Sequence, residues 1–279
     1  MRPEYTIAEA VSETWYGYHG TGGIEIPIGV VASLLVTSPV VLKELPDMSD
    51  EEFVKLLRRV WGHWWLQHPH LADVARPITS WLDDPSPEVM KAAKAVARAA
   101  VRSRLKSFQG LDTDILSFVI TELRSRGARK GLGEYHTPHD VCELMAQMKM
   151  RELPDKGSTL GEPTAGSGGM IRATARQIKR LGGDPADYVW HMADIDAIAC
   201  ACAAVNALVW NLGSEVYIFH GDILRYGDHF EQSIERRRQA VRAWGKAIDD
   251  ALSAARYLRA TRAFEGLVNA RYEESRAPC

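Results

Sequence analysis

The 279-residue sequence has only four cysteines, Cys142, Cys200, Cys202 and Cys279, and no two of them form a Cys-x-x-Cys pair. Cys200 and Cys202 are badly spaced for a tetrahedral metal site, so reduced thiols are the default. His63, His68 and His70 are interleaved with Trp61, Trp64 and Trp65 and lack a complete donor set, which argues against a metal centre there. A long apolar run is also missing. The longest, Ile24 to Val36, is interrupted by Glu25, Pro27 and Gly29. It is shorter than the ~20 residues needed to cross a bilayer, so no membrane span is expected. The first residues include Glu4 and lack the positive start and apolar stretch of a signal peptide; the expected location is the cytoplasm. Net charge is −2, so any affinity for nucleic acid must come from local patches. What the chain does have is 46% hydrophobic residues, enough for one large soluble domain or two with separate cores.

Residues 1–130 read as helical throughout. Asp50-Glu51-Glu52 opens an apolar-periodic segment through Trp65, and Ser86-Pro87-Glu88 opens another through Leu105. Each start pairs a cap or a first-turn proline with acids that suit the helix dipole. A further helix is predicted from Asp112 to Arg124, with Leu111, Ile115, Phe118, Val119 and Leu123 on one face. Glycines and cations then cluster over 124–133, a flexible basic linker or loop where a domain boundary is expected. From 131 to 226 the texture alternates: helix 138–150, strand 158–161, helix 168–181, strand 188–193, helix 197–211, strand 215–220. Helices between short strands imply parallel pairing with right-handed crossovers, an α/β doubly wound sheet with its ligand at the carboxyl ends of the strands. Residues 227–279 form a helical tail. Phe230 to Tyr272 reads as one long helix or a helical hairpin, with Val241, Trp244, Ile248, Ala251, Ala255 and Leu258 spaced like a coiled-coil seam.

Within the alternating region, Glu162-Pro163-Thr164-Ala165-Gly166-Ser167-Gly168-Gly169 joins a strand to a helix through a glycine-rich loop. Small residues let backbone N–H groups approach a ligand while the next helix presents its positive end. Such a loop is also an ordinary tight turn. About 30 residues later, where nucleotide folds place an acid on ribose hydroxyls, the second strand ends in His191-Met192-Ala193-Asp194-Ile195-Asp196. Asp194 is the ribose candidate; the alternative is that both acids merely cap the next helix. Asp222 follows the third strand in Gly221-Asp222-Ile223-Leu224, a position that also suits a plain turn. Upstream, in Gly133-Glu134-Tyr135-His136-Thr137-Pro138, Thr137 is expected to cap a helix whose first turn holds Pro138.

In this order the four segments resemble the N6-adenine DNA methyltransferases, particularly the methylation subunits of type I restriction systems. Their loop reads Asp-Pro-Ala-Cys/Ala-Gly-Ser/Thr-Gly-Gly, their upstream segment Gly-x-Phe-Tyr/His-Thr-Pro and their acidic turn Gly-x-Glu-Ile-Asp. The resemblance implies a Rossmann-like fold dependent on S-adenosylmethionine (SAM), with double-stranded DNA as partner. It implies SAM held by Thr137, Pro138, Glu162, Pro163, Thr164, Ala165, Gly166, Ser167, Gly168 and Gly169, with Asp194 on the ribose and Asp222 at the adenine ring.

One family element is missing. These enzymes hold a flipped adenine with an Asn/Asp-Pro-Pro-Tyr/Phe motif on the next strand, yet no proline occurs between Pro185 and Pro278. Asp84-Pro85-Ser86-Pro87 lies in the helical region and Asp184-Pro185-Ala186-Asp187 in a crossover, away from the loop. Without that motif the amino group has no positioned acceptors and the base no stacking partner. The expectation is therefore a SAM-binding, methylase-like protein of a modification or phage-host system, its catalytic half truncated or diverged, with no catalytic residue assigned. A partner or second copy docked on the tail would complete it. The alternative is a non-catalytic DNA-binding or scaffolding module. In that reading Arg98, Arg102, Arg104, Lys106, Arg124, Arg126, Arg129 and Lys130 meet phosphates, unless, with Asp112, Asp114 and Glu122 interspersed, they form a solvated face. A third reading is transfer to another target using Tyr135, His136 or His220.

Overall fold

The computed structural model describes residues 3–18, 22–108, 110–124 and 137–274. Residues Met1–Glu235 form one compact unit and Arg236–Cys279 a second. The first therefore runs through both the helical region and the alternating region.

The helical part comprises α1 (Pro3–Tyr16), α2 (Glu25–Leu35), α3 (Pro39–Leu42), α4 (Asp50–Gln67), α5 (Pro69–Val74), α6 (Arg76–Thr79), α7 (Pro87–Arg102) and α8 (Ile115–Leu123). Its starts follow the sequence logic. Ser49 and Glu52 form a reciprocal capping box on α4, with bonds of 3.2 and 2.7 Å. On α7, Ser86 accepts from the Val89 N–H, and Pro87 occupies the first turn. Phe53, Leu57 and Trp61 of α4, spaced four apart, bury one stripe against α2 and α7. Gly29 allows α2 to come against the α6 backbone: a Cβ built there would lie 1.8 Å from the Ile78 carbonyl oxygen. Next to that approach, the Ser33 hydroxyl donates to the Gly29 carbonyl (2.6 Å) and accepts from the Trp61 indole N–H (2.8 Å), pinning α4 to α2.

The alternating part follows as α9 (His139–Lys149), β1 (Thr159–Glu162), α10 (Gly169–Arg180), β2 (Val189–Asp194), α11 (Ala197–Val209) and β3 (Val216–His220). Every predicted element of this stretch is present, with ends within two residues of expectation. The sheet is parallel in the order β1-β2-β3, with Glu162 opposite Met192 and Asp194 opposite His220. A doubly wound sheet reverses its strand order. Among the described residues that reversal is absent, because the chain after β3 enters a helix instead of another strand.

Alternate side chains cover the two faces of the sheet. Trp190, Met192, Val216 and Ile218 pack into one core with residues of α10 and α11. On the opposite pleat, His191 and Tyr217 meet the Phe230 ring, and His191 stacks on His229 at 5.2 Å. Helix α11 is apolar on every side except at Asn206, as a largely buried helix is. Its Ala201, Cys202 and Val205 belong to the helical core while Cys200, Ala203, Ala204 and Ala207 belong to the sheet core. Helix α9 lies on α10, where Glu143 faces Arg172 (3.1 Å), Arg176 (3.1 Å) and Arg180 (2.9 Å), three guanidiniums one turn apart. There too the Gln177 amide donates to the Met150 carbonyl at 2.9 Å.

The tail is the single helix α12 (His229–Glu274), not a hairpin. Along its seam Val241 is 47% and Leu258 56% exposed. Among the described residues no helix is long and apolar enough to cross a membrane, and no cluster of His, Cys, Asp or Glu is placed to hold a metal ion.

Candidate cofactor site

The glycine loop leaves β1 and turns back over the carboxyl ends of the strands. Glu162 folds onto its own turn, accepting from the Thr164 N–H and hydroxyl at 3.2 Å each. Pro163 and Thr164 are exposed. The Ala165 N–H bonds the Ala193 carbonyl at 2.8 Å, tying the loop to the end of β2. Gly166 (φ 56°) and Gly168 (φ 103°) both lie in the left-handed region, which a side chain disfavours. At Gly168 space forbids one as well, since a Cβ would stand 2.9 Å from the Trp210 ring. Helix α10 starts at Gly169.

Asp194 closes the loop from the side. One carboxylate oxygen accepts from the Gly166 N–H at 2.7 Å and the other from the Asp196 N–H at 2.9 Å. A carboxylate has about four lone-pair sites, so each oxygen keeps acceptor capacity for a hydroxyl. Asp196 takes the capping role, accepting from Ile198 and Ala199 N–H groups at the head of α11. The Gly221 N–H donates to the Asp194 carbonyl at 2.9 Å, bringing the end of β3 alongside, and Asp222 accepts from the Leu224 N–H in its own turn.

A cavity of about 240 Å³ opens against this loop, lined by Glu162, Thr164 to Ser167 and Gly169 from the core and by Thr137, His139 and Cys142 from the start of α9. Thr137 and the glycine loop thus share one space, and Asp194 borders it through Gly166. Thr137 does not cap: the helix begins at His139 after Pro138, without a side-chain cap bond. Pro138 fixes that start by its carbonyl, which accepts from Val141 and Cys142 N–H groups. Burial lowers the pKa of His139, helped by the Arg172 charge and opposed by Asp114, Glu4 and Asp140. Burial also raises that of the Cys142 thiol. Both groups are therefore neutral near pH 7.

A polar network behind the loop had no place in the sequence reading. Asp114, fully buried, accepts from the Ser167 hydroxyl (2.6 Å), the Asn206 amide (2.8 Å) and the Ser117 N–H (3.1 Å). Asn206 also donates to the Ser167 carbonyl at 2.9 Å. The available signal was Asn206 itself, a polar residue inside an apolar helix, which needs a buried partner.

The cations expected at phosphates behave differently. Arg98 bonds the Pro46 carbonyl, and Lys106 bonds the Leu35 and Thr37 carbonyls where α2 ends, a favourable place for a cation. Arg124 is buried, its guanidinium on Asp196. Each of these three cations thus has a partner within the chain itself. Arg126, Arg129, Lys130, Tyr135 and His136, with the Gly133–His136 part of the upstream segment, lie outside the described residues. His220, at the strand end, has its ring against the Ile195 carbonyl at 3.2 Å.

Glycine loop, strand-end acids and upstream turn thus occupy one end of one parallel sheet. Residues 113–243 match the N-6 DNA Methylase family model. The matched span takes in the glycine loop, Asp194, Asp222 and the Asp114 network. Among solved structures, the chain is similar to the type I restriction-modification system methyltransferase subunit from Streptococcus thermophilus, at 13% identity and a TM-score of 0.43. That alignment covers 79% of this chain and 59% of the other, so the chain spans little more than half the length of that subunit. No curated protein matches the sequence.

Proposed function

We propose that this chain is the SAM-binding part of an N6-adenine DNA methylase belonging to a modification or phage-host system, and that a second polypeptide supplies the Pro-Pro motif. The observation that carries the reading is the meeting of Asp194 with the Gly166 N–H beside a cavity lined by the loop and by Thr137. Bound SAM supplies a methyl group activated for transfer. The chain's own residues bind and orient it. The head of α10 faces the cofactor carboxylate, Asp194 takes the ribose hydroxyls and Asp222 the adenine edge. Residues 131–226 hold the cofactor in this reading, and residues 1–130 support them. The part that contacts the target base comes from the partner, docked on the exposed seam of α12 around Val241 and Leu258.

Calorimetric titration of SAM into the wild type, Asp194→Ala and Gly166→Trp tests the cofactor half. Micromolar binding in the wild type, abolished in both variants, is the expected result. A wild type that binds no SAM would overturn the reading and favour a scaffold that keeps the architecture alone. For the docking half, Trp244→Asp is expected to lower partner binding; an unchanged complex would remove the seam from consideration.

A further inference from the structure

We propose that helix α8 is a brace for the cofactor loops, with Asp114 and Arg124 as positioning residues at its two ends. This rests on the SAM reading for its ligand, though not for its geometry. At the head of α8, Asp114 caps the helix through the Ser117 N–H and, with its other oxygen, takes the Ser167 hydroxyl of the glycine loop at 2.6 Å. At the tail, the Arg124 guanidinium pairs with Asp196 where both side chains are nearly buried, 4% and 16% exposed. Asp196 in turn donates its N–H to Asp194, which holds Gly166. The path from Ser167 through α8 to Asp196, Asp194 and Gly166 therefore returns to the residue beside its start.

A nine-residue helix spans about 13 Å, and its ends set the glycine loop and the ribose turn a fixed distance apart. The bonds involved are buried or part-buried and charge-assisted, the stronger class of hydrogen bond. Neither Asp114 nor Arg124 lines the cavity, whereas Ser117 of the first turn does. The brace thus acts on the ligand through the loops. Linkage makes the effect reciprocal: a ligand that orders both loops stabilises α8, and a loosened α8 weakens the ligand.

The test combines SAM calorimetry with amide hydrogen exchange on the full chain, using the wild type, Ser167→Ala, Arg124→Met and Arg124→Lys, with the exposed Lys156→Ala as control. Loss of either end is expected to weaken SAM binding about tenfold, the size of one net buried hydrogen bond to a charge. Arg124→Lys, which keeps the cation, should recover most of that loss, and Lys156→Ala should bind as the wild type does. SAM should slow exchange across 115–123 in the wild type but not in Ser167→Ala. Wild-type affinity in both Ser167→Ala and Arg124→Met, or α8 exchange indifferent to SAM, would overturn the brace. If the wild type binds no SAM, the cofactor reading fails and exchange without ligand decides the brace. Ser167→Ala must then speed exchange of the Gly166 and Gly168 amides, and unchanged rates sink it. Should Ser167→Ala fail to fold, Arg124→Met carries the same two readouts.

Discussion

Helices α4 and α12 have similar patterns in sequence and opposite fates in the structure. Both repeat apolar residues at three- and four-residue steps. In α4, Phe53 and Leu57 are fully buried and Trp61 nearly so, whereas in α12 Val241, Leu252 and Leu258 are about half exposed. Periodicity establishes that a helix has an apolar face. It does not say what covers that face. In α4 the cover is local, since α2 and α7 follow from the same stretch of chain and bring Ser33 to Trp61.

If that difference is one of burial, substitutions should separate the two helices sharply. Leu57→Ala leaves a cavity among residues with no exposure and should cost about 4 kcal/mol of stability in denaturant unfolding. Gly29→Ala should cost about 3 kcal/mol, since α2 must retreat from the Ile78 carbonyl; an unchanged midpoint would mean that the close approach is not maintained. The His191–His229 stack examines the head of α12, which packs on the sheet. Burial, and then the His229 charge, lower the His191 pKa to about 4, against a smaller opposing effect of Glu231. Its folded value lies below the unfolded value of about 6.5, so this contribution is fully present above pH 6.5 and is lost as pH falls toward 4. The loss should reach about 3 kcal/mol. His191→Phe should flatten the melting-temperature profile over that window, and a profile identical to the wild type would remove His191 as its source. The smallest effect is expected from Leu258→Ala, within about 0.5 kcal/mol in the same unfolding assay. A loss comparable to that of Leu57→Ala would mean that the seam is covered in solution.

The alternating region was legible nearly residue by residue, because each strand is short and followed by a residue that turns the chain. Asp196 marks a helix start that could be read directly, and the helix expected from 168 begins at Gly169. The cap assigned to Thr137 slipped by one residue because Pro138 can stop the extended segment by itself. The turn at the glycine loop and the place of Asp194 at the end of β2 were readable from spacing. Asp114 was not: its partners Ser167 and Asn206 lie 53 and 92 residues away, and no local pattern encodes a contact at that distance. Arg124 misled for a related reason. Within a basic run it looks solvated, and only the fold brings Asp196 to it.

Glu143 has a consequence of another kind. Its three arginine partners repeat at one-turn intervals along α10, so sliding α9 by a turn would still leave two guanidiniums in reach and remove only part of the attraction. The charges join the two helices without fixing their register. That task falls to uncharged geometry, the Gln177 amide finding the Met150 carbonyl, which has no equivalent one turn away.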